Sequence, residues 1–345
     1  MNIYELIDRL EKEKHLDLNE YEYIVSNFTE EHLDYLRKKS YKAKLDNFGD
    51  KIYIRGLIEI SNYCKNDCLY CGIRKSNLCA ERYRLTKEEI LDCCKEGYKL
   101  GFRTFVLQGG EDMYFTDEYL GEIVSSIKET YPDCAVTLSV GERTKESYMH
   151  LFACGGDRFL LRHETADKEH YNKLHPETLT LENRIECLKN LKEIGFQTGC
   201  GFMVGSPYQT NSCIAKDLKF IEEFKPQMVG IGPFIPHKDT PFKDFKSGEL
   251  KKVLLLLGIV RLIHPKVLLP STTALATLDK NGRIEGLKMG ANVVMPNLSP
   301  DSAKAKYTLY NNKARFGKEA ALNIEKLKTD LAEHKMRVVC ERGDY

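Results

Sequence analysis

From residue 51 onward, short β-rich runs alternate with segments of helical period. The runs are KIYIRGLIEIS (51–61), TFVLQGG (104–110), AVTLSVG (135–141), RFLLRHE (158–164), QTGCGFMVG (197–205), MVGIGPF (228–234), KVLLPST (266–272) and ANVVMPN (291–297). Between them, LTKEEILDCCKEGYKLG opens on Thr86 and acidic residues, a helix-capping pattern, and ends at Gly101. DEYLGEIVSSIKETYP, LENRIECLKNLKEIG and CIAKDLKFIEEFKP follow the same plan and stop at Pro or Gly. Such alternation predicts a parallel sheet with right-handed crossovers. Eight units in roughly 250 residues fit a (β/α)8 barrel, with an open doubly wound sheet as the alternative. The barrel is favoured because nearly every run ends in polar or glycine-rich residues, which a barrel gathers at one mouth. Residues 1–50 read as a helical extension, 51–300 as the barrel and 301–345 as a second extension packed on it, without strong strand signals.

No apolar run reaches the ~18 residues that span a bilayer. The longest, VLLLLGIVRLI (253–263), contains Arg261 and reads as a buried helix. The N-terminus lacks the pattern of a signal or transit peptide, so a cytoplasmic location is expected. Net charge is +1 with Lys and Arg spread along the chain, which argues against nucleic acid as a partner. Twelve cysteines without a secretion signal read as thiols or metal ligands rather than disulfides. Nine of them show no ligand spacing and read as small buried hydrophobes.

The other three lie in SNYCKNDCLYCGI (61–73), spaced C-x-x-x-C-x-x-C. Zinc takes four protein ligands in a structural site and three plus water in a catalytic one. A [4Fe–4S] cubane takes one thiolate per iron, so three thiolates leave one iron open to bind a substrate or cosubstrate. Spacing alone leaves both readings open.

An aromatic residue, Tyr70, precedes the third cysteine, and Gly109-Gly110-Glu111 ends the second run. Together these resemble the cluster loop and the glycine/glutamate stretch of the radical S-adenosylmethionine (SAM) enzymes. QGGED (108–112), LSVGE (138–142), LLRHETAD (160–167), LHPET (174–178), MVGSPYQT (203–210), VGIGPFIPHKDTP (229–241), PSTTALAT (270–277) and GANVVMPN (290–297) extend the resemblance. In order, over about residues 50 to 310, they are similar to the HydE family, radical SAM maturases of [FeFe]-hydrogenase.

The resemblance implies that Cys64, Cys68 and Cys71 hold a [4Fe–4S] cluster whose open iron chelates SAM. It implies that Gln108, Gly109 and Gly110 line the methionine end of SAM, and that Glu164 and Arg184 bind its ribose and carboxylate. Tyr70 and Met203 would contact adenine. Arg162, Thr272 and Thr273 would sit deeper and hold an anionic iron complex bearing carbon monoxide and cyanide, with Met228, Met295 and Tyr310 helping to line the cavity. The implied partners are a sister radical SAM maturase, a GTPase scaffold and an external one-electron reductant.

Bland readings stand beside these. Arg162 and Glu164, two apart on a strand, share a face and can pair with each other. Thr272 and Thr273 can be packing strand residues, Arg184 a solvated helix residue, and the methionines core filler. His163, His170 and His175 form no H-E-x-x-H and read as surface or structural residues. After Pro300 only Cys340 remains, so a single cluster is expected. Biotin synthase, methylornithine synthase and a non-enzymatic iron–sulfur or zinc scaffold are the alternatives.

Overall fold

The computed structural model describes residues 2–313 and 320–345. Three helices come first, α1 (Ile3–Glu13), α2 (Leu18–Asn27) and α3 (Glu30–Phe48). The chain then alternates through β1 (Lys51–Ile54), β2 (Gly56–Ser61), α4 (Lys87–Lys99), β3 (Thr104–Gly109), α5 (Asp117–Thr130), β4 (Ala135–Ser139), α6 (Lys145–Ala153) and β5 (Arg158–Leu160). It continues with α7 (Lys168–Leu174), α8 (Leu181–Ile194), β6 (Gln197–Cys200), β7 (Met203–Val204), α9 (Asn211–Phe224), β8 (Met228–Val229), β9 (Gly232–Pro233) and α10 (Leu250–Ile263). Last come α11 (Thr273–Leu278), α12 (Gly282–Lys288), β10 (Val293–Val294), α13 (Asp301–Lys306), α14 (Ala320–Ala332) and β11 (Arg337–Val339).

The strands form the expected barrel. β2, β3, β4, β5, β6 and β8 pair in that order, all parallel. Single parallel bridges complete the ring: Met228 to Leu268, Pro270 to Val293, and Asn297 back to Leu57. All eight runs read from the sequence therefore take part. Three of them break in the middle, at Arg55, after Cys200 and after Val229. At Gly201 (φ +155°) an added Cβ would meet the Gly230 carbonyl oxygen at 2.0 Å, so two strand backbones touch where a side chain cannot fit.

Local sequence explains the helix ends. On α4 the Thr86 hydroxyl accepts from the Glu89 N–H at 3.2 Å and the Glu89 carboxylate accepts from the Thr86 N–H at 2.8 Å, the reciprocal cap its sequence announces. α10 is apolar all round because both faces are covered: the barrel lies on one side, α1 and α3 on the other. Its Arg261 is fully buried and donates to the carbonyl oxygens of Gly290, Pro265 and Val267 at 2.7–2.8 Å.

The C-terminal stretch departs from expectation. β11 pairs parallel with β1, Ile52 opposite Val338. A three-residue strand whose partner lies at the other end of the chain gives little local signal. The tail beyond it crosses the amino ends of the strands. Fully buried Arg158 donates to Thr104 Oγ1 (2.9 Å), to the carbonyl oxygens of Arg342 (3.0 Å) and Gly343 (3.2 Å), and to Asp344 Oδ1 (2.5 Å). Gln197 Nε2 donates to the same carboxylate at 2.9 Å. The cysteines depart in part too. Cys93, Cys94, Cys134, Cys187, Cys200 and Cys213 are buried as expected, Cys154 is half-buried, and Cys79 and Cys340 are exposed.

Burial pushes the Asp344 carboxyl up, but the Gln197 hydrogen bond and the Arg158 charge outweigh it and hold it at about 2. Its contribution to stability is thus full above the unfolded value near 3.8 and is lost as pH falls through about 2. Asp344→Asn is expected to cost roughly 1 kcal/mol at neutral pH, a figure discounted for the partial exposure of the carboxylate. The gap in melting temperature between variant and wild type should close between about pH 4 and about pH 2. Thermal melts across that range check this; a constant gap contradicts it.

Candidate active site at the carboxyl mouth of the barrel

Cys64, Cys68 and Cys71 sit half-buried on the loop that follows β2. Backbone hydrogen bonds pin this loop on three sides. The Lys65 N–H donates to the Glu111 carbonyl (2.9 Å), Leu69 to Leu174 (3.0 Å) and Gly72 to Leu309 (2.9 Å). Gly72 is required there, since an added Cβ would meet the Thr308 carbonyl oxygen at 2.1 Å. Arg82 ties the loop to itself: it donates to the carbonyl oxygens of Asn62, Ile73 (2.8 Å), Arg74 (2.6 Å) and Asn77 (3.1 Å). Arg84 grips Asp112 through two bonds of 2.7 and 2.9 Å, and Ser61 Oγ donates to the same carboxylate at 2.6 Å.

The second wall is the end of β3. The Gly110 N–H donates to the Ser61 carbonyl at 3.2 Å. A Cβ on Gly110 would stand 2.2 Å from the Tyr63 carbonyl oxygen and 2.8 Å from Cys64 Cβ, so only glycine lets the cysteine loop lie this close. Gln108 Nε2 donates to the hydroxyl of fully buried Tyr307 at 3.3 Å. Opposite, Tyr70 packs with Met203, Leu174 and Phe234, and its hydroxyl meets His175 Nε2 at 3.2 Å.

These elements enclose a cavity of about 370 Å³. The residues Cys64, Cys68, Cys71, Tyr70, Gln108, Gly109, Gly110, Arg162, Glu164, Arg184, Met203, Thr272 and Thr273 all line it, as do Met295 and Tyr310. Met228 does not: it is buried in the barrel interior, where Arg55 Nη1 donates to its sulfur at 3.0 Å. Thr272 and Thr273 are not strand residues but the N-cap and first residue of α11. Arg184 is buried rather than solvated, paired with Glu142 through Nε and donating from Nη1 to the Arg162 carbonyl at 2.8 Å. His163, His170 and His175 are all buried. The sequence reading passed over Glu59, Tyr307 and Lys313. Glu59 is fully buried in the wall, accepts from Asn297 Nδ2 at 2.8 Å and pairs with Lys313. A carboxylate in the middle of the apolar run GLIEIS is the signal by which it could have been found.

Among the described residues, several buried polar atoms of this cavity have no hydrogen-bond partner: Arg162 Nε and Nη2, Glu164 Oε2, Thr272 Oγ1 and Glu111 Oε2, the last with only the Lys65 ammonium near it at 3.3 Å. Arg162 Nη2 and Glu164 Oε2 are 3.3 Å apart without hydrogen-bond geometry. Atoms of this kind are where a polar ligand or water can bind. The thiols fit a metal cluster. Burial raises Cys68, and the neighbouring Cys71 and Cys64 charges raise it further; burial and Cys64 push Cys71 up to about 12. Such thiols ionise when iron replaces their protons. Among the described residues, no three Cys, His, Asp or Glu side chains converge as ligands of a single ion; a cubane asks instead for one thiolate per iron.

Comparison with known proteins bears on the same residues. The radical SAM superfamily matches residues 58–221. The HydE subunit of the [FeFe]-hydrogenase maturase of Thermotoga maritima is 45% identical over 265 residues, 77% of this chain and 75% of that protein. The chain belongs to the HydE branch of the radical SAM superfamily. It is an enzyme, and its cofactors are those of the family, a [4Fe–4S] cluster and SAM. A 3-methylornithine synthase of Methanosarcina acetivorans is 31% identical over 281 residues, 81% of this chain and 79% of that protein. The crystal structure of methylornithine synthase (PylB) superposes with a TM-score of 0.84 at 27% identity, covering 97% of both chains. That of the FeFe-hydrogenase maturase HydG from Carboxydothermus hydrogenoformans gives 0.80 at 21% identity, covering 97% of this chain and 79% of that one, and speaks to the fold alone. No helix among the described residues is long and apolar enough to cross a membrane.

Gly110→Ala should push the cysteine loop away from β3 and impair cluster loading, because the Cβ overlaps backbone that cannot move alone. After anaerobic reconstitution, iron and sulfide content should fall several-fold while far-ultraviolet circular dichroism is retained. Wild-type iron content would contradict this reading of the glycine.

Proposed function

We propose that this chain is a maturase of [FeFe]-hydrogenase that acts on a small anionic iron complex bearing carbon monoxide and cyanide. The observation that carries the reading is the guanidinium of Arg162, which among the described residues makes no hydrogen bond from Nε or Nη2, has Glu164 as its ion-pair neighbour, and lines with Thr272 Oγ1 the cavity beside the cysteine loop. A guanidinium beside a hydroxyl is a cradle for an anion. The relationship to the HydE of Thermotoga maritima supports the substrate class.

When bound, the reduced cluster supplies the electron that cleaves SAM reductively and so starts radical chemistry on the substrate. The chain's own side chains orient and enclose. Cys64, Cys68 and Cys71 would hold three irons and leave the fourth facing the cavity. Glu111 and Glu164 offer carboxylates to the amino and hydroxyl groups of SAM, and Arg184, held by Glu142, offers a cation to its carboxylate. Tyr70 and Met203 form an apolar shelf for the adenine. Gln108, steadied by Tyr307, faces the methionine end. The segment from Tyr307 to Lys313, latched by the Glu59–Lys313 pair, forms one wall of the cavity. A sister radical SAM maturase would supply the substrate, a GTPase scaffold would take the product, and an external reductant would deliver the electron.

Two measurements test this. Adding SAM to the reduced, reconstituted enzyme should shift the electron paramagnetic resonance signal of the cluster and release 5′-deoxyadenosine. A cluster indifferent to SAM would sink the reading at its first step. Arg162→Leu should keep SAM-dependent deoxyadenosine release and lower substrate-dependent turnover by about 100-fold, the loss expected when a charge-assisted anion contact of 2–3 kcal/mol disappears. Unchanged substrate turnover in that variant, or turnover yielding 3-methylornithine, would move the chain to another reaction.

A further inference from the structure

Glu164 has a left-handed backbone, φ +64°. For a residue with a Cβ this conformation costs roughly 1–2 kcal/mol, so its surroundings must impose it. Its N–H donates to the Gly201 carbonyl at 3.0 Å, and its carbonyl accepts from the Met203 N–H at 3.4 Å. Those bonds fix one edge of the residue. The other support comes from α9, on the outer side of the barrel strands.

Asp217 of α9 is fully buried. Its Oδ1 accepts the Ala166 N–H at 2.5 Å and stands 3.3 Å from His163 Nε2. One carboxylate oxygen thus reaches the residue before Glu164 and the residue two after it. His163 is itself fully buried, between the rings of Phe202 and Phe220 at 5.9 and 4.7 Å. Its Nδ1 accepts the Gly201 N–H at 3.3 Å, which leaves the ring proton on Nε2; that atom packs against Asp217 Oδ1 at 3.3 Å without hydrogen-bond geometry. Burial lowers His163 to about 3 and raises Asp217, so the contact joins an uncharged imidazole to the carboxyl group. The pair does not line the cavity and takes no part in the chemistry described above.

We infer that Asp217 is a positioning residue that, through His163 and the Ala166 N–H, holds Glu164 in the left-handed conformation aiming its carboxylate into the SAM-binding cavity. This rests on the proposal that Glu164 contacts SAM. Sequence alone hides the arrangement, because Asp217 lies fifty-three residues beyond Glu164, inside an ordinary amphipathic helix.

The test is SAM affinity of the cluster-loaded, oxidised protein, measured by titration calorimetry without turnover, alongside thermal melts. Asp217→Ala is expected to weaken SAM binding about tenfold, whereas Asp217→Asn, which keeps a carbonyl oxygen for the Ala166 N–H, retains most of it. Glu164→Ala should weaken binding by a similar factor. Adding Asp217→Ala to Glu164→Ala should then cost nothing further, because Asp217 acts through that side chain. A purely structural role would lower the melting temperature and leave the affinity of the folded protein unchanged. That result, or a full second loss in the double variant, overturns the inference while leaving the proposed function standing. Wild-type protein that fails to bind SAM overturns both. If Asp217→Ala does not fold, His163→Ala carries the same comparison.

Discussion

A closed ring of parallel strands has a direction, and the rest of the structure depends on that constraint. All eight carboxyl ends open on one mouth and all amino ends on the other. Residues from well-separated stretches of the chain therefore meet in one cavity without any of them reaching far. The same geometry forces compromise at the mouth. Ladders there are short, two of the runs break, after Cys200 and after Val229, and the Gly230 backbone comes close enough to Gly201 to exclude a side chain at that position. Positions that no longer need to pair can turn polar groups inward.

The cysteine loop shows what this requires in practice. Leu69, Tyr70 and Ile73 anchor the loop by packing, and hydrogen bonds to backbone carbonyls fix the rest of it. Arg82 supplies several of these at once, and Lys65, Leu69 and Gly72 dock on three different neighbours. One neighbour follows the end of β3, another is the last residue of α7, and the third belongs to the C-terminal segment. The thiols are thus held at a junction of distant pieces of chain, and the segment after the barrel is part of the site rather than an appendage.

The fold was largely legible because its signals are local. Apolar runs, capping residues and terminal glycines each declare themselves within a few positions, and the cap at Thr86 formed as written. The cysteine loop was legible for the same reason. What escaped depended on distance. Arg184 looked solvated because the carboxylate that neutralises it, Glu142, comes from another strand end. β11 escaped because its partner is β1. Thr272 and Thr273 were misplaced because KVLLPST makes only single bridges before the helix begins. Met228 was drawn toward the cavity by family likeness, although its side chain turns toward Arg55 in the interior.

The two ends of the barrel treat polar groups in opposite ways, and this separates stability from function. At the amino end, Arg158 is met by a hydroxyl, two carbonyls and a carboxylate, so a fully buried cation has abundant partners. At the carboxyl end, Arg162, four residues later and just beyond β5, keeps two buried nitrogens without a hydrogen bond among the described residues. Each such atom costs on the order of 1–3 kcal/mol when nothing meets it. The cost is tolerated because the neighbouring backbone is held from outside, by α9 behind Glu164 and by the C-terminal segment over the cysteine loop. A ligand that satisfies these atoms would therefore stabilise the folded chain as well as bind to it. The described residues alone leave the polar interior at this end unfinished.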